Sequence, residues 1–163
     1  MKLEGHVDSD WASSLDDAKS TSGFCFSLGS GMFCWSSKKQ SVVAQSTAEA
    51  EYVAAAHATN QAIWIRKVLL ELNFNPSSST VIHCDSKSAI AISENLVYFG
   101  RTKHILVKFH AIRERVKNGE VRLVHCKSEE QIADGFTKPL ATAKFEEFKF
   151  KIGVMSNCIK GSV

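Results

Sequence analysis

Ser46-Thr47-Ala48-Glu49-Ala50-Glu51-Tyr52 opens the longest helical pattern in the chain and places two acids in its first turns. Ser46 followed three residues later by Glu49 has the spelling of a capping box, in which each side chain satisfies a backbone N–H at the helix start. Glu49 then has a structural role, and Glu51 is left without one. Successive helical residues turn by about 100°, so side chains two apart point about 200° away from each other. Only one of the two acids can face a given strand, and the capping assignment makes it Glu51. A plainer reading, two acids stabilised by the dipole of a helix N-terminus, stays open on this stretch alone.

Upstream of that helix, residues 2–7 alternate as a strand that delivers Asp8 and Asp10 within VDSDWA. Residues 21–28 and 32–36 flank Gly29-Ser30-Gly31 as a hairpin, and Ser37-Lys38-Lys39-Gln40 reads as a polar turn into the helix. The helical pattern runs to about Leu72, with Trp64, Val68, Leu69 and Leu72 expected to face inward and a break near Thr59-Asn60 left open. Downstream, residues 80–84 form a short apolar strand ending at Asp85, followed by a helical run over 86–93. Residues 101–118 form a further helix with Ile105, Phe109, Ile112 and Val116 inward, stopped by Gly119. Residues 121–126 are a last strand. Ser128-Glu129-Glu130-Gln131 repeats the capping-box spelling and opens a helix carrying Asp134, which Lys138-Pro139 ends. A final helix covers about 141–152. One antiparallel meander followed by αβ crossovers implies an α/β protein with a mixed sheet and helices on both faces.

At 163 residues, 44% hydrophobic and 23% charged, the chain has the size and composition of one soluble domain. Its apolar runs are too short to span a membrane, and no apolar leader follows an N-terminal positive charge. The five cysteines, Cys25, Cys34, Cys84, Cys126 and Cys158, show no paired spacing, which predicts reduced thiols in an intracellular compartment. The net charge of +3 is unevenly distributed: residues 1–60 carry 4 basic and 7 acidic groups, residues 61–163 carry 16 and 10. An acidic centre beside a basic surface suits a metal-dependent enzyme acting on a polyanion.

Four acids stand at comparable places: Asp8 after strand one, Glu51 one turn into the long helix, Asp85 after strand four, and Asp134 in a late helix. Carboxyl ends of strands are where open α/β sheets place ligand sites. Converging carboxylates repel unless cations neutralise them, and oxygen ligands with retained waters are what Mg²⁺ prefers. Two such ions about 3.5–4 Å apart can activate a water and stabilise a leaving oxygen in phosphodiester hydrolysis. Each acid also has a plain alternative. Asp85 could cap the helix from Ser86, Asp8 or Asp10 could be a turn residue, and Asp134 could be a solvated helical acid. Asp16 and Asp17 sit in a polar loop and read as solvated.

The segments VDSDWASSLDDAKSTSGFCFSLGSG, WSSKKQSVVAQSTAEAEYVAAA, IHCDSKSAIAI, GRTKHI, FHAIRE and EEQIADGFTKPL occur here in a fixed order from about Gly5 to Gly153. Together they resemble the ribonuclease H domain of copia-type LTR retrotransposon polyproteins. The resemblance implies a ribonuclease H-like fold, with a five-stranded mixed sheet of order 3-2-1-4-5. By motif matching it places the four metal-binding acids on Asp8, Glu51, Asp85 and Asp134. It implies two Mg²⁺ ions, with Mn²⁺ as a substitute, and endonucleolytic cleavage of the RNA strand of an RNA–DNA hybrid to leave 5′-phosphates. One domain over 1–163 is expected, with a core over about 5–140, a C-terminal helix over about 141–153 and a short tail. The implied partners are the hybrid and a polymerase domain in the same polyprotein, without a membrane. The implied setting is intracellular, in a cytoplasmic retrotransposon particle or the nucleus.

Two positions depart from the family pattern. Leu106 stands where an acid is usual, and Gly135 follows Asp134 where an apolar residue is common, at a cost to helix propensity of about 1 kcal/mol relative to alanine. The histidine loop that cellular ribonucleases H place before the fourth acid is also missing, since Cys126-Lys127-Ser128 runs straight into the next helix. His104 and His110, six apart on one helix, cannot both replace it.

For substrate contacts, Ser46, Thr47 and Lys87 lie beside the acids in sequence, and small polar groups can read the 2′-hydroxyl of RNA. Ser36, Lys38, Lys39, Arg101 and Lys103 are candidates for holding phosphates. Trp35 and Trp64 read as core residues, while Trp11 stays open. Two other functions fit the same residues: a hybrid-binding module with weak or no catalysis, and a transposase or integrase core. The latter ends its acid triad with a glutamate on a late helix, where this chain has Asp134.

Overall fold

The structure, a computed structural model, describes residues 2–76, 78–94 and 112–154. Five strands, β1 (Leu3–Asp10), β2 (Thr21–Leu28), β3 (Gly31–Lys39), β4 (Thr80–Cys84) and β5 (Val121–His125), form one sheet in the order β3-β2-β1-β4-β5. β1, β2 and β3 pair antiparallel, whereas β4 pairs parallel with both β1 and β5. The helices are α1 (Thr47–Glu71), α2 (Lys87–Glu94), the helical residues 112–117 as α3, and α4 (Thr142–Lys151). Two 3-10 segments, Ser128–Glu130 and Ile132–Phe136, lie between β5 and α4. The expected α/β class, sheet order and mixed pairing are what the fold contains.

Side-chain alternation divides the sheet into two faces. Val7, Phe26 and Ile82 pack with Val53, Ala58 and Ala62 of α1 in the core. On the opposite face, Asp8 and its cross-strand partner Gly23 meet the second 3-10 segment. A Cβ on Gly23 would come within 2.7 Å of Thr137 and 2.9 Å of Phe136, so only glycine lets that segment lie this close to β2. The segment is also fastened by Gln131, whose amide donates to the carbonyl of Val7 at 2.8 Å and whose Oε1 accepts from Ala133 N–H at 3.1 Å.

Several local expectations are corrected. β1 continues to Asp10, so Asp8 lies two residues inside the strand rather than after it. Residues 37–39 belong to β3, paired with Gly23, Ser22 and Thr21, because the ladder of β2 offers them partners that a free turn would lack. α1 is continuous, with no break at Thr59-Asn60. Its inward row near the C-terminal end is Ala58, Ala62, Ile65 and Leu69, spaced by four, three and four residues, while Trp64, Val68 and Leu72 fall on the neighbouring row and are exposed. Alanines at 58 and 62 let the middle of the helix lie close to the sheet, and Ile65 and Leu69 continue the row towards its end. Trp35 is likewise exposed, on edge strand β3. The stretch 128–136 is two 3-10 turns rather than a capped helix, and Gln131, not Ser128, caps the second. Residues 101–111, which include Ile105, Leu106, Phe109 and both His104 and His110, lie outside the described residues; Ile112 is buried and Gly119, at φ +70°, follows the end of α3.

Candidate active site

Ser46 caps α1 through its hydroxyl, which accepts from Glu49 N–H at 3.2 Å. The return bond goes one residue further out than a capping box prescribes: Glu49 Oε2 accepts from Gln45 N–H at 2.6 Å. Glu49 is thus consumed by the helix start, and Glu51 points to the end of β1. There its Oε1 accepts from both the amide (2.9 Å) and the hydroxyl (2.7 Å) of Ser9. Oε2 is left facing Cys84, whose thiol lies 3.9 Å away, and a ligand atom from each of Glu51, Cys84 and Asp85 lies within 4.8 Å of the others.

Asp85 follows β4 directly and is half-buried. It does not cap α2; Ser86 does, accepting from Ala89 N–H at 3.2 Å. The carboxylate of Asp85 is free to accept from Ser128 Oγ at 3.2 Å instead. Asp8 is 1% exposed and accepts a hydrogen bond from the Thr137 hydroxyl. Asp134 sits on the second 3-10 segment, where Lys138, four residues on, reaches back to its Oδ1 at 2.8 Å. The same ammonium lies 3.2 Å from Asp8 Oδ2. The structure therefore brings Asp8, Glu51, Asp85 and Asp134 to one end of the sheet, two of them bridged by a lysine.

The electrostatics are those of crowded carboxylates. Burial pushes Glu51 up to about 7, and the charges of Asp8 and Asp85 act in the same direction against the bonds from Ser9. Burial also raises Asp8 to about 6, assisted by Asp134 and opposed by Thr137 and Lys138. Lys138 loses hydration, but its hydrogen bond to Asp134 and the charges of Asp8 and Asp134 outweigh that loss and hold the ammonium firmly protonated. The Cys84 thiol is raised far above its ordinary range by burial, then by Glu51 and Asp85, so it is a neutral neighbour rather than a thiolate. Carboxylate oxygens with a protonated thiol suit a hard divalent cation, and the ammonium lodged between Asp8 and Asp134 shows that the pocket attracts positive charge.

The remaining predicted contacts are dispersed. Ser46 and Thr47 are exposed at the same end of α1 as Glu51, and Lys87 is exposed two residues after Asp85. Ser36 and Lys38 line a separate groove of about 450 Å³ with His57, Asn60, Gln61 and Trp64. Lys39 is engaged by Asp17 at 3.0 Å. Trp11 is half-exposed, and its indole donates to the Ala44 carbonyl at 3.0 Å. Arg101 and Lys103 lie outside the described residues. Ser9, Thr137, Lys138 and Gln131 are not among the site residues expected from the sequence. The i,i+4 pairing of Asp134 with Lys138 was readable; the approach of Thr137 to Asp8 across 129 residues was not.

No family model matches the chain. It is 41% identical over 155 residues, 95% of its length, to the retrovirus-related Pol polyprotein from transposon RE2 of Arabidopsis thaliana, and 41% identical over 155 residues to that from transposon TNT 1-94 of Nicotiana tabacum. It spans only 11% and 12% of those two relatives. Among solved structures it resembles LC11-RNase H1 isolated from compost, with a TM-score of 0.61 at 17% identity over 83% of this chain and 92% of that one. It also resembles the foamy viral protease-reverse transcriptase in complex with RNA/DNA hybrid, with a TM-score of 0.59 at 16% identity over 83% of this chain and 19% of that one. Over 95% of its length the chain is homologous to a segment of the retrovirus-related Pol polyproteins of copia-type transposons, and its sheet order and its likeness to solved structures give it the ribonuclease H fold.

Proposed function

We propose that this domain cleaves the RNA strand of RNA–DNA hybrids, by metal-dependent phosphodiester hydrolysis, during reverse transcription of a transposon. The observation that carries this reading is the crowding of acids at one end of the sheet: Glu51 clusters with Asp85 and feels the charge of Asp8, and Asp8 shares Lys138 with Asp134. Asp8, Glu51, Asp85 and Asp134 would hold two Mg²⁺ ions, or Mn²⁺ in their place. Bound there, the ions would lower the pKa of a water and neutralise charge on the leaving oxygen. The protein's own part is placement. Ser9 locks one oxygen of Glu51 and leaves the other turned into the pocket. Thr137 orients Asp8, and Ser128 orients Asp85.

Substrate reading is assigned to the rim. Ser46 and Thr47 present hydroxyls at the N-terminus of α1, whose positive dipole end suits a phosphate and whose hydroxyls suit a 2′-hydroxyl. Lys87 stands beside Asp85, and Ser36, Lys38 and Lys39 extend the contact along β3. Arg101 and Lys103 remain proposed phosphate contacts. A polymerase domain in the same polyprotein would deliver the hybrid.

A labelled RNA–DNA hybrid incubated with the domain, with and without Mg²⁺, tests the reading on a gel. Cleavage of the RNA strand that needs Mg²⁺, leaves 5′-phosphates and disappears in Asp8→Asn supports it. Binding of the hybrid without cleavage at any Mg²⁺ or Mn²⁺ concentration would return the chain to the hybrid-binding alternative.

A further inference from the structure

Asp8 is a buried carboxylate, and burying a charge is costly unless a countercharge accompanies it. Lys138 supplies that countercharge, 3.2 Å from Asp8 Oδ2 and 2.8 Å from Asp134 Oδ1. On the other side of the pocket, Glu51 and Asp85 have no ammonium or guanidinium partner among the described residues. Among the described residues the four acids are therefore unequal: one pair shares an ammonium, and the other has none.

An ion bound to both Asp8 and Asp134 would need oxygens at about 2.0–2.1 Å for Mg²⁺. The ammonium already sits between those oxygens, so the two cations would compete for one place. The Lys138 side chain is 39% exposed, which leaves its flexible stem a route to solvent. We propose that Lys138 is a tethered counter-cation, held between Asp8 and Asp134 when no divalent ion is there and displaced when one binds. It weakens metal binding at that position and keeps the metal-free acids from repelling. The position at Glu51 and Asp85 carries no such competitor among the described residues, and it fills first. This rests on the proposed metal reading of the four acids, and it does not depend on whether the domain cuts RNA.

Mn²⁺ alone is the probe, titrated into the whole chain without nucleic acid and followed by calorimetry and by the spin-resonance signal of the free ion. The variants are K138M, which keeps the stem and removes the charge, and K138R, which keeps the charge. Wild type should bind Mn²⁺ in a tight and a weak step. In K138M the weak step should tighten on the order of tenfold, the fold-change that about 1.4 kcal/mol of relieved competition produces. Its metal-free melting temperature should fall and its Mn²⁺-dependent rise should grow, while K138R should behave as wild type. Should K138M not fold without metal, K138Q is titrated in its place. A weak step that is unchanged or weaker in the neutral variants would mean that Lys138 positions the acids rather than competes with metal, and would overturn the proposal. If wild type binds no Mn²⁺, both this proposal and the metal reading fall. If the Mn²⁺ shifts are as expected but no hybrid is cleaved, only the nuclease reading falls.

Discussion

Two glutamates separated by one alanine have opposite fates in this protein, and the difference is decided by a hydrogen bond of a few tenths of a nanometre. Glu49 is tied to Gln45 N–H at 2.6 Å, and its own N–H is tied to Ser46. Glu51 is tied to Ser9 through one oxygen and turned towards Cys84 and Asp85 with the other. Glutamine at position 49 can still accept from Gln45 N–H, so Glu49→Gln should retain most hybrid cleavage. Glu51→Gln loses an anionic ligand and should retain almost none, although its Ser9 contacts survive. Measured cleavage rates for the two variants check this, and equal loss in both would show that Glu49 also serves the site. The two glutamates are distinguishable in the sequence because a cap has a short-range spelling. Thr137 is not, because its role comes from the approach of two segments far apart in the chain.

Among the elements, the strands and α1 were legible because their signals are local: apolar alternation, a glycine turn, a cap. The failures share a different cause. Much of the inward face of α1 is alanine, which has little hydrophobic signal, so the larger Trp64, Val68 and Leu72 suggest a neighbouring row that is in fact exposed. Residues 37–39 look like a turn until a neighbouring strand offers them hydrogen bonds. The segment 128–136 has a helix-start spelling, but the tie from Gln131 to the carbonyl of Val7 and the close approach at Gly23 fold it into tight 3-10 turns. Gly135 belongs to the same scale. It looks unfavourable as a helical residue, yet a Cβ there would run into the ring of Phe148 on α4. Phe148 also stacks edge-on with Phe136 at 5.1 Å, so Gly135 is the floor on which α4 rests. Gly135→Ala should therefore push α4 away, at about 1–3 kcal/mol for overpacking. Hydrogen exchange would show lost protection over Thr142–Lys151 with the sheet amides unchanged; unchanged protection of α4 would mean that the ring moves aside freely.

At the scale of the whole molecule, charge governs both stability and binding. Asp8 and Glu51 have folded-state values near 6 and 7, above the usual carboxylate range near 4. Between the unfolded and folded values the native state holds more protons, so these two acids make the metal-free protein less stable as pH rises from about 4 to about 7. His6, lowered to about 4 by burial and then by His83, and His57, also lowered by burial, act oppositely up to their unfolded range near 6.5. The comparison that isolates the acids is wild type against Glu51→Gln: the variant should gain melting temperature relative to wild type as pH rises from 5 to 8. Mg²⁺ should raise the wild-type melting temperature most at the upper end, by mass action on the folded state. A pH-independent gap between the two proteins would mean that Glu51 does not titrate in this range.

The uneven charge along the chain, acidic before residue 60 and basic after it, sets a second expectation. If basic groups grip the hybrid backbone, affinity measured in Ca²⁺ should fall with salt by roughly one log unit per log unit of salt for each phosphate neutralised. Lys38 is exposed beside the groove at Ser36, whereas Lys39 is held by Asp17 at 3.0 Å. Lys38→Ala should therefore flatten the slope by close to one, and Lys39→Ala by less, because a phosphate must first take the lysine from Asp17. Neither change should alter the preference for hybrid over DNA duplex, since backbone charge carries no information about the sugar. That preference should weaken in Ser46→Ala or Thr47→Ala, where hydroxyls stand at the start of α1 near Glu51. Ser46→Ala also removes a helix cap at a cost of about 1 kcal/mol, so Thr47→Ala is the cleaner comparison. A salt slope that stays the same in Lys38→Ala would place the duplex on another face of the domain.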